Sequence, residues 1–421
     1  MKRMPRGTAR GLTCGLVMAL VVSAFAGVSA LADRPGPQGP SPAPPRGRTG
    51  GPPPAVRSPE VHADRTVTFR LRAPESDRVE LVGEVLQGAG PRAMTKGADG
   101  VWSVTVGPVP PEIWIYNFRV HGVTIADPGN ISAMPRATGD AYSSFVEVPG
   151  DRPAFYDARP VPHGEVRMVL YESGAMGVNR YLWVYTPPGY DRSNTRYPVF
   201  YLLHGNGETQ NGWVANGRAN IILDNLIADG QAEPMIVVMP HGHPIQSASV
   251  GPFALVPPEG EPGMLNFTLF TRELLQQVIP FVERNYRVHM DPDRRAIGGL
   301  SMGGYQSIEI GLAHPELFGN VLAYSGGFGS LGPQPPAEAI ESQPPWTNLL
   351  ADAAATKKLR LLFLGSGRQE TGMLGPGQRL VRLFNERGVN ARWSDHPGGH
   401  VFSVWRNLLH ESVPLLFKKR R

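Results

Sequence analysis

The stretch GGLSMGGYQS, Gly298 to Ser307, places a single serine among glycines at the junction of two different patterns. The apolar run RRAIGGL before it favours a buried strand, and the run after it favours a helix. Gly299, Ser301 and Gly303 fit G-x-S-x-G, in which a sharp strand-to-helix turn lifts a serine hydroxyl above the sheet edge. The alternative is a helix cap in a glycine turn. The flanking strand and helix favour a nucleophilic Ser301.

The surrounding sequence, from about residue 163 to 421, alternates apolar strands with helical patterns. The strands are PVFYLLHG, MIVVMP, NVLAYSGG and LRLLFLGSG, and the helical patterns include TRELLQQVIPFVERNY, GQRLVRLFNERG and VWRNLLHESVPLLF. Continuous apolar strands that alternate with helices predict a mostly parallel sheet covered on both faces. Two more alternating runs, EVRMVLYES and YLWVYTPP, predict an antiparallel edge. We therefore expect an α/β-hydrolase fold over residues 163–421.

A different pattern occupies residues 58–150. Apolar side chains alternate with polar ones in TVTFRLR, VWSVTV and WIYNFRV, and the turn sequences GADG, GPVPPE and DPGN separate these runs. Short alternating strands with regular turns predict a small β-sandwich. A glycan-binding module, a spacer and a cover for the active-site mouth all remain possible roles.

The N-terminal 57 residues have the composition of targeting and linking segments. Basic residues precede the apolar run LVMALVVSAFAGV, which ends in Ala-Leu-Ala at 30–32, so residues 1–32 predict an export signal, with an uncleaved anchor as the alternative. We expect a secreted or periplasmic protein. The only cysteine, Cys14, lies in this segment, and the mature chain would contain no thiol. Residues 33–57 are rich in proline and glycine and predict a disordered tether.

Composition excludes several functional classes. The 421 residues are 41% hydrophobic and 18% charged, with a net charge of +5. The positive residues are scattered apart from a C-terminal KKRR, so no nucleic-acid partner is expected. Once the signal is removed, no stable membrane span is expected. There is no phosphate loop, dinucleotide fingerprint or metal cluster, and no cofactor is expected. His241 and His243 lack a third partner and indicate a turn rather than a metal site.

A serine hydroxyl needs a base, and in this fold the triad runs serine, acid, histidine along the chain. His400, in HPGGHVFSVWR, follows the last predicted strand and precedes a helix, which places it at the same sheet edge; His396 is the nearby competitor. Glu370 is the first carboxylate after LRLLFLGSG and is our preferred acid. Asp395 is the alternative.

The negative charge that develops during ester cleavage needs two backbone N–H donors, the oxyanion hole. Met302, directly after the serine, is expected to supply one. The other is expected from Asn206, in the loop after PVFYLLHG, with Gly207 as the alternative. His204 is expected to support this loop.

Three aromatic side chains are candidates for the substrate pocket. We assign Trp213 and Phe402 to substrate binding, with core packing as the alternative for each, and core packing is the preferred interpretation of Trp405.

Residues from about 164 to 419 resemble the esterases of carbohydrate esterase family 1, which include feruloyl, acetylxylan and enterochelin-esterase-like proteins. The resemblance rests on RYPVFYLLHGNGETQNGW, FVERNYRV, AIGGLSMGGYQS and GGHVFSVWRNLLHE. It implies the roles of nucleophile, acid and base for Ser301, Glu370 and His400. The family acid is usually Asp, and Trp is often found where Phe402 stands. The preceding segment is similar to the immunoglobulin-like modules of such esterases.

Members of this family hydrolyse esters of plant cell-wall sugars, siderophores or small acyl compounds, and some relatives transfer acyl groups instead. The resemblance therefore implies a serine esterase that removes feruloyl or acetyl groups from a small-molecule or polysaccharide ester, and the export signal predicts that it is secreted. Two alternatives remain: an acyltransferase of the mycolyltransferase type, and a non-catalytic carbohydrate-binding protein with a degenerate hydrolase domain.

Overall fold

The computed structural model describes residues 55–136, 142–243, 267–329 and 346–418. The predicted export signal and most of the predicted tether lie outside these residues. Within the described ranges, no helix combines the length and the apolar character needed to cross a membrane.

The N-terminal part of the described chain is built from two antiparallel sheets. One sheet has the order β1-β2-β6-β5, and the other has the order β4-β3-β7-β10-β9 with β8 paired to β7. The strands are β1 Glu60–Val61, β2 Val67–Arg72, β3 Val79–Val82, β4 Arg92–Ala93, β5 Thr95–Lys96, β6 Val101–Val106, β7 Glu112–Val120, β8 Val123–Ile125, β9 Ala133–Pro135 and β10 Tyr142–Val148. Their alternating apolar residues enclose one core cluster that includes Phe69, Trp102 and Phe118.

An eight-stranded sheet forms the second part, in the order β11-β12-β14-β13-β15-β16-β17-β18. Its strands are β11 Glu165–Ser173, β12 Val178–Thr186, β13 Val199–Leu203, β14 Ile236–Pro240, β15 Arg295–Leu300, β16 Asn320–Tyr324, β17 Leu361–Gly367 and β18 Ala391–His396. The helices are α1 Gly212–Ala215, α2 Ala219–Ala228, α3 Phe267–Glu273, α4 Ile279–Asn285, α5 Met302–Ala313, α6 Trp346–Ala351, α7 Ala353–Thr356, α8 Thr371–Glu386 and α9 Phe402–Ser412.

The strand directions confirm the predicted α/β-hydrolase fold. β11 and β12 are antiparallel to their neighbours, and all pairs from β14 to β18 are parallel. Leu300, at the end of β15, lies opposite Tyr324, at the end of β16. Because parallel strands end at one edge of the sheet, the loops after them meet there, which is where ligands bind in open α/β sheets.

The helix expected over TRELLQQVIPFVERNY is divided. A π-helical stretch, Leu274–Val278, separates α3 from α4, and Pro280 stands in the first turn of α4. Proline has no backbone N–H and cannot continue the regular i to i−4 ladder. The widened turn before it is the local consequence.

The two parts share a hydrophobic core. Ile113 and Phe145 of the antiparallel sheet belong to the same buried cluster as Phe200 and Trp213 of the α/β part. Across this junction Arg406, on α9, makes an ion pair with Glu112, at the start of β7. The antiparallel part is therefore packed directly against the helix that follows His400.

Candidate active site

Ser301 occupies a strained turn between β15 and α5. Its φ of 52° and ψ of −115° are unusual for a residue with a side chain, and its N–H donates to Tyr324 O at 2.8 Å. Gly299 and Gly303 make this turn possible, because a β-carbon on either would lie within 2.6 Å of Leu203 O. Only glycine fits where the turn packs this closely on the end of β13.

The structure brings the three predicted catalytic side chains into one hydrogen-bonded chain. His400 Nε2 lies 2.7 Å from Ser301 Oγ, and His400 Nδ1 lies 2.7 Å from Glu370 Oε1. The carboxylate side chain is 3% exposed, whereas the imidazole is 29% exposed. The acid is therefore shielded from water, while the imidazole and the serine face a solvent-accessible space.

One side chain and one backbone N–H, which the sequence did not reveal, complete the surroundings of Glu370. Ser325, just after β16, donates its hydroxyl to Glu370 Oε2 at 2.6 Å, and Gly367 donates its N–H to the same oxygen at 2.6 Å. Trp405 donates its indole N–H to Ser325 Oγ at 3.0 Å. The sequence signal that could have identified Ser325 is its position as a polar residue directly after β16, the strand that pairs with β17.

The alternative acid and base are engaged elsewhere. Asp395 accepts hydrogen bonds from Arg368 and from the Trp393 indole, and these contacts hold the pKa of its carboxyl below the usual range. His396 Nε2 lies 2.9 Å from Glu411 Oε1. Glu370 and His400, rather than Asp395 and His396, therefore face Ser301.

The residues around the predicted oxyanion donors, Met302 and Asn206, lie next to Ser301 in the sequence or in space. Met302 is the first residue of α5, where a backbone N–H has no acceptor within the helix. A β-carbon on Gly205 would be 3.5 Å from Ser301 Cβ, which places the Gly205–Gly207 loop against the nucleophile. Asn206 in this loop is exposed.

Three buried histidines lie behind this loop. His204 is in contact with His241, their facing nitrogens 3.1 Å apart, and His243 Nε2 donates to Asn206 O at 2.7 Å. Burial lowers the pKa of His204 to about 3 and that of His241 well below its usual value. These two rings are therefore neutral at physiological pH, and His204 supports the loop as expected. In the described ranges no cluster of histidine, cysteine or acidic side chains is arranged to hold a metal ion.

A buried carboxyl group that the sequence did not single out also contacts the loop. Glu208 is 5% exposed, and its Oε2 accepts the N–H of Gly205 at 3.3 Å. Burial raises its pKa to about 7, against the opposing influence of Arg136 and His400.

Trp213 and Phe402, which we assigned to substrate binding, are only 0% and 1% exposed. This burial corrects the assignment. Their rings pack edge to face, 5.9 Å apart, and the Trp213 indole donates to Leu203 O. Neither ring presents a surface to substrate. Both stabilise the core beneath the active-site loops.

This chain is similar to several known proteins. The Esterase family model matches residues 173–416. An endo-1,4-beta-xylanase/feruloyl esterase of Xylanibacter ruminicola is 30% identical over 376 residues, covering 87% of this chain and 46% of the relative. The iron(III) enterobactin esterase of Escherichia coli is 23% identical over 291 residues, 69% of this chain and 66% of that protein. This chain thus spans about half of the first relative's length.

Among solved structures, the enterobactin esterase of Shigella flexneri has the same fold, with a TM-score of 0.58 and 21% identity over 83% of this chain and 92% of that one. The resemblance to carbohydrate esterase family 1 is confirmed by the family model and by the relative from Xylanibacter ruminicola. The matched region contains Ser301, Glu370 and His400, and it covers more than half of the sequence. The chain therefore belongs to the Esterase family.

Proposed function

We propose that this protein hydrolyses carboxylic esters through an acyl-enzyme formed on Ser301. The observation that supports this most directly is the unbroken chain of contacts from Glu370 through His400 to Ser301, with 2.7 Å at both contacts of the imidazole. A serine paired with an imidazole that is itself held by a carboxylate is the arrangement that activates serine nucleophiles.

In the first half of the reaction, Ser301 Oγ attacks the ester carbonyl carbon while His400 Nε2 takes the hydroxyl proton. Glu370 stabilises the resulting imidazolium through its contact with Nδ1. The N–H groups of Met302 and Asn206 bind the oxyanion. The C–O bond to the alcohol then breaks, and His400 returns its proton to the leaving alcohol.

The second half mirrors the first. Water attacks the acyl carbon, His400 Nε2 takes a proton from it, and the bond to Ser301 Oγ breaks as the proton returns to the serine. The partial exposure of His400 gives water access to this position. The product is the free carboxylic acid.

We propose carbohydrate-linked feruloyl or acetyl esters as the substrates. The support is the relative named endo-1,4-beta-xylanase/feruloyl esterase, which aligns with most of this chain. Export belongs to the same proposal, supported by the basic and apolar pattern of residues 1–32.

The test is a screen of methyl ferulate, acetylated xylan and longer acyl esters, with and without a sugar acceptor, using the wild type and Ser301→Ala. Free acid released by the wild type, and turnover at least a thousandfold lower in the variant, is the expected result. Transfer of the acyl group to the sugar would identify an acyltransferase instead. A folded Ser301→Ala variant with full turnover would overturn the proposal.

A further inference from the structure

We propose that His241, Gly242 and His243, the segment after β14 that we term the histidine clamp, is a positioning element for the oxyanion hole. It connects the loop that carries Asn206 to the helix that carries Met302, and so fixes the separation of the two donors. This inference rests on the proposed function and assigns the clamp no contact with the substrate.

On the loop side, three hydrogen bonds fix the backbone. His243 donates Nε2–H to Asn206 O at 2.7 Å. Gly242 donates its N–H to His204 Nε2 at 2.8 Å, so the hydrogen of the neutral His204 ring is on Nδ1, which lies 2.8 Å from Gly205 O. Each histidine ring at the loop therefore binds one carbonyl oxygen.

A carbonyl group and the N–H of the next residue belong to one rigid peptide plane and point in opposite directions. Fixing Gly205 O therefore orients the N–H of Asn206, and fixing Asn206 O orients the N–H of Gly207. Asn206 is the predicted second donor of the oxyanion hole and Gly207 is its alternative, so the two contacts fix the peptide groups on both sides of Asn206. The clamp thus acts on the N–H vectors through the far side of their peptide groups.

On the helix side, the clamp contacts α5 in the turn that carries the first donor. Gln306 donates Nε2–H to Gly242 O at 2.9 Å. A β-carbon on Gly242 would lie 3.2 Å from Met302 Cε, so the Met302 side chain packs against the Gly242 backbone. The peptide groups around Gly242 therefore join both halves of the oxyanion hole.

The clamp is itself rigidly held. Arg180 donates to His241 O at 2.7 Å and to His243 O at 2.8 Å, and its side chain lies 3.9 Å from Glu273. His241 and His243 are 4% and 0% exposed. A buried, hydrogen-bonded segment of this kind resists the small displacements that weaken oxyanion stabilisation.

The decisive comparison is His243→Phe with His243→Gln. Phenylalanine fills the ring volume without a donor, whereas the glutamine amide can still donate to Asn206 O. We expect kcat of His243→Phe to fall tenfold to a hundredfold, with KM within about twofold of the wild type. The reason is that misdirecting one oxyanion donor can lower kcat by as much as removing that donor. His243→Gln should recover most of kcat. If His243 only packed in the core, His243→Phe would lower the melting temperature without lowering kcat selectively over KM.

A folded His243→Phe variant with wild-type kcat would overturn the inference, as would a Gln variant impaired as much as the Phe variant. If His243→Phe does not fold, Gln306→Met tests the other side of the clamp: lowered kcat at unchanged KM supports the inference, and unchanged kcat refutes it. Ser301→Ala, measured in parallel, separates the two proposals. Retained turnover in that variant refutes the proposed function itself.

Discussion

Glu370 Oε1 lies 2.7 Å from His400 Nδ1, although 30 residues separate them in the sequence. A carboxylate at this position keeps the hydrogen on Nδ1, so the lone pair of Nε2 faces the serine hydroxyl. In this chain a glutamate makes the contact for which carbohydrate esterase family 1 usually has an aspartate.

Glu370→Gln should lower kcat by about three to four orders of magnitude, because the amide can donate toward Nδ1 and stabilise the wrong tautomer. Steady-state hydrolysis of a small ester measures this. Glu370→Asp keeps the charge on a shorter side chain and serves as the matched control, with an intermediate kcat. Turnover of Glu370→Gln within tenfold of the wild type would show that a different group acts as the acid.

Ser325→Ala should lower kcat about tenfold and destabilise the fold by about 1–3 kcal/mol. The variant removes a donor to Glu370 and leaves the buried Trp405 indole N–H without its acceptor. Trp405→Phe removes the indole donor but keeps the Ser325 hydroxyl, so it should affect stability more than kcat. Unchanged kcat in Ser325→Ala would mean that Gly367 alone positions the carboxylate.

Glu208 should make folding stability depend on pH. Burial raises its pKa from 4.5 to about 7, so the folded state binds this proton more tightly than the unfolded chain does. Its contribution to stability is fully present below pH 4.5 and is lost as the pH rises through 7. The uncharged Glu208→Gln variant avoids this loss and should gain about 3 kcal/mol relative to the wild type between pH 4.5 and pH 8.

Urea unfolding of both proteins at several pH values between 4.5 and 8 measures the difference. A stability difference that is the same across this range would show that Glu208 ionises in the folded state as easily as in the unfolded chain.

The Arg406–Glu112 ion pair should couple the antiparallel part to the α/β part. Arg406 is fully buried and also donates to Asn216 O at 2.6 Å. Arg406→Met leaves a mostly buried carboxylate unpaired and should cost about 3–5 kcal/mol in the free energy of unfolding. The matched control is Arg159→Met, which breaks a half-exposed pair with Asp229 and should cost less than about 1 kcal/mol. Equal costs would contradict a special role for the buried pair.

Local sequence pattern was sufficient for the parts of the site that depend on strand ends and chain order. The glycines around Ser301 predict the turn, and the order serine, acid, histidine gives Glu370 as the preferred acid, with Asp395 as its alternative, and His400 as the base. Each of these signals lies within a few residues of the end of its own strand.

Contacts between distant segments could not be predicted in this way. Ser325 supports Glu370 only because β16 and β17 are neighbours, and His243 reaches Asn206 only because β13 and β14 pair. Trp213 and Phe402 were misassigned because an aromatic residue near a catalytic loop has the same sequence signal whether it faces the substrate or the core.

Covalent trapping tests the central claim most directly. Incubation with a fluorophosphonate, followed by intact-mass analysis and peptide mapping, should show one adduct per chain, located on Ser301 in the peptide that contains GGLSMGGYQS. The adduct should be absent in Ser301→Ala and slow to form in Glu370→Gln. Absence of an adduct, or an adduct on another residue in an enzyme that hydrolyses esters, would contradict a nucleophilic Ser301 activated by His400.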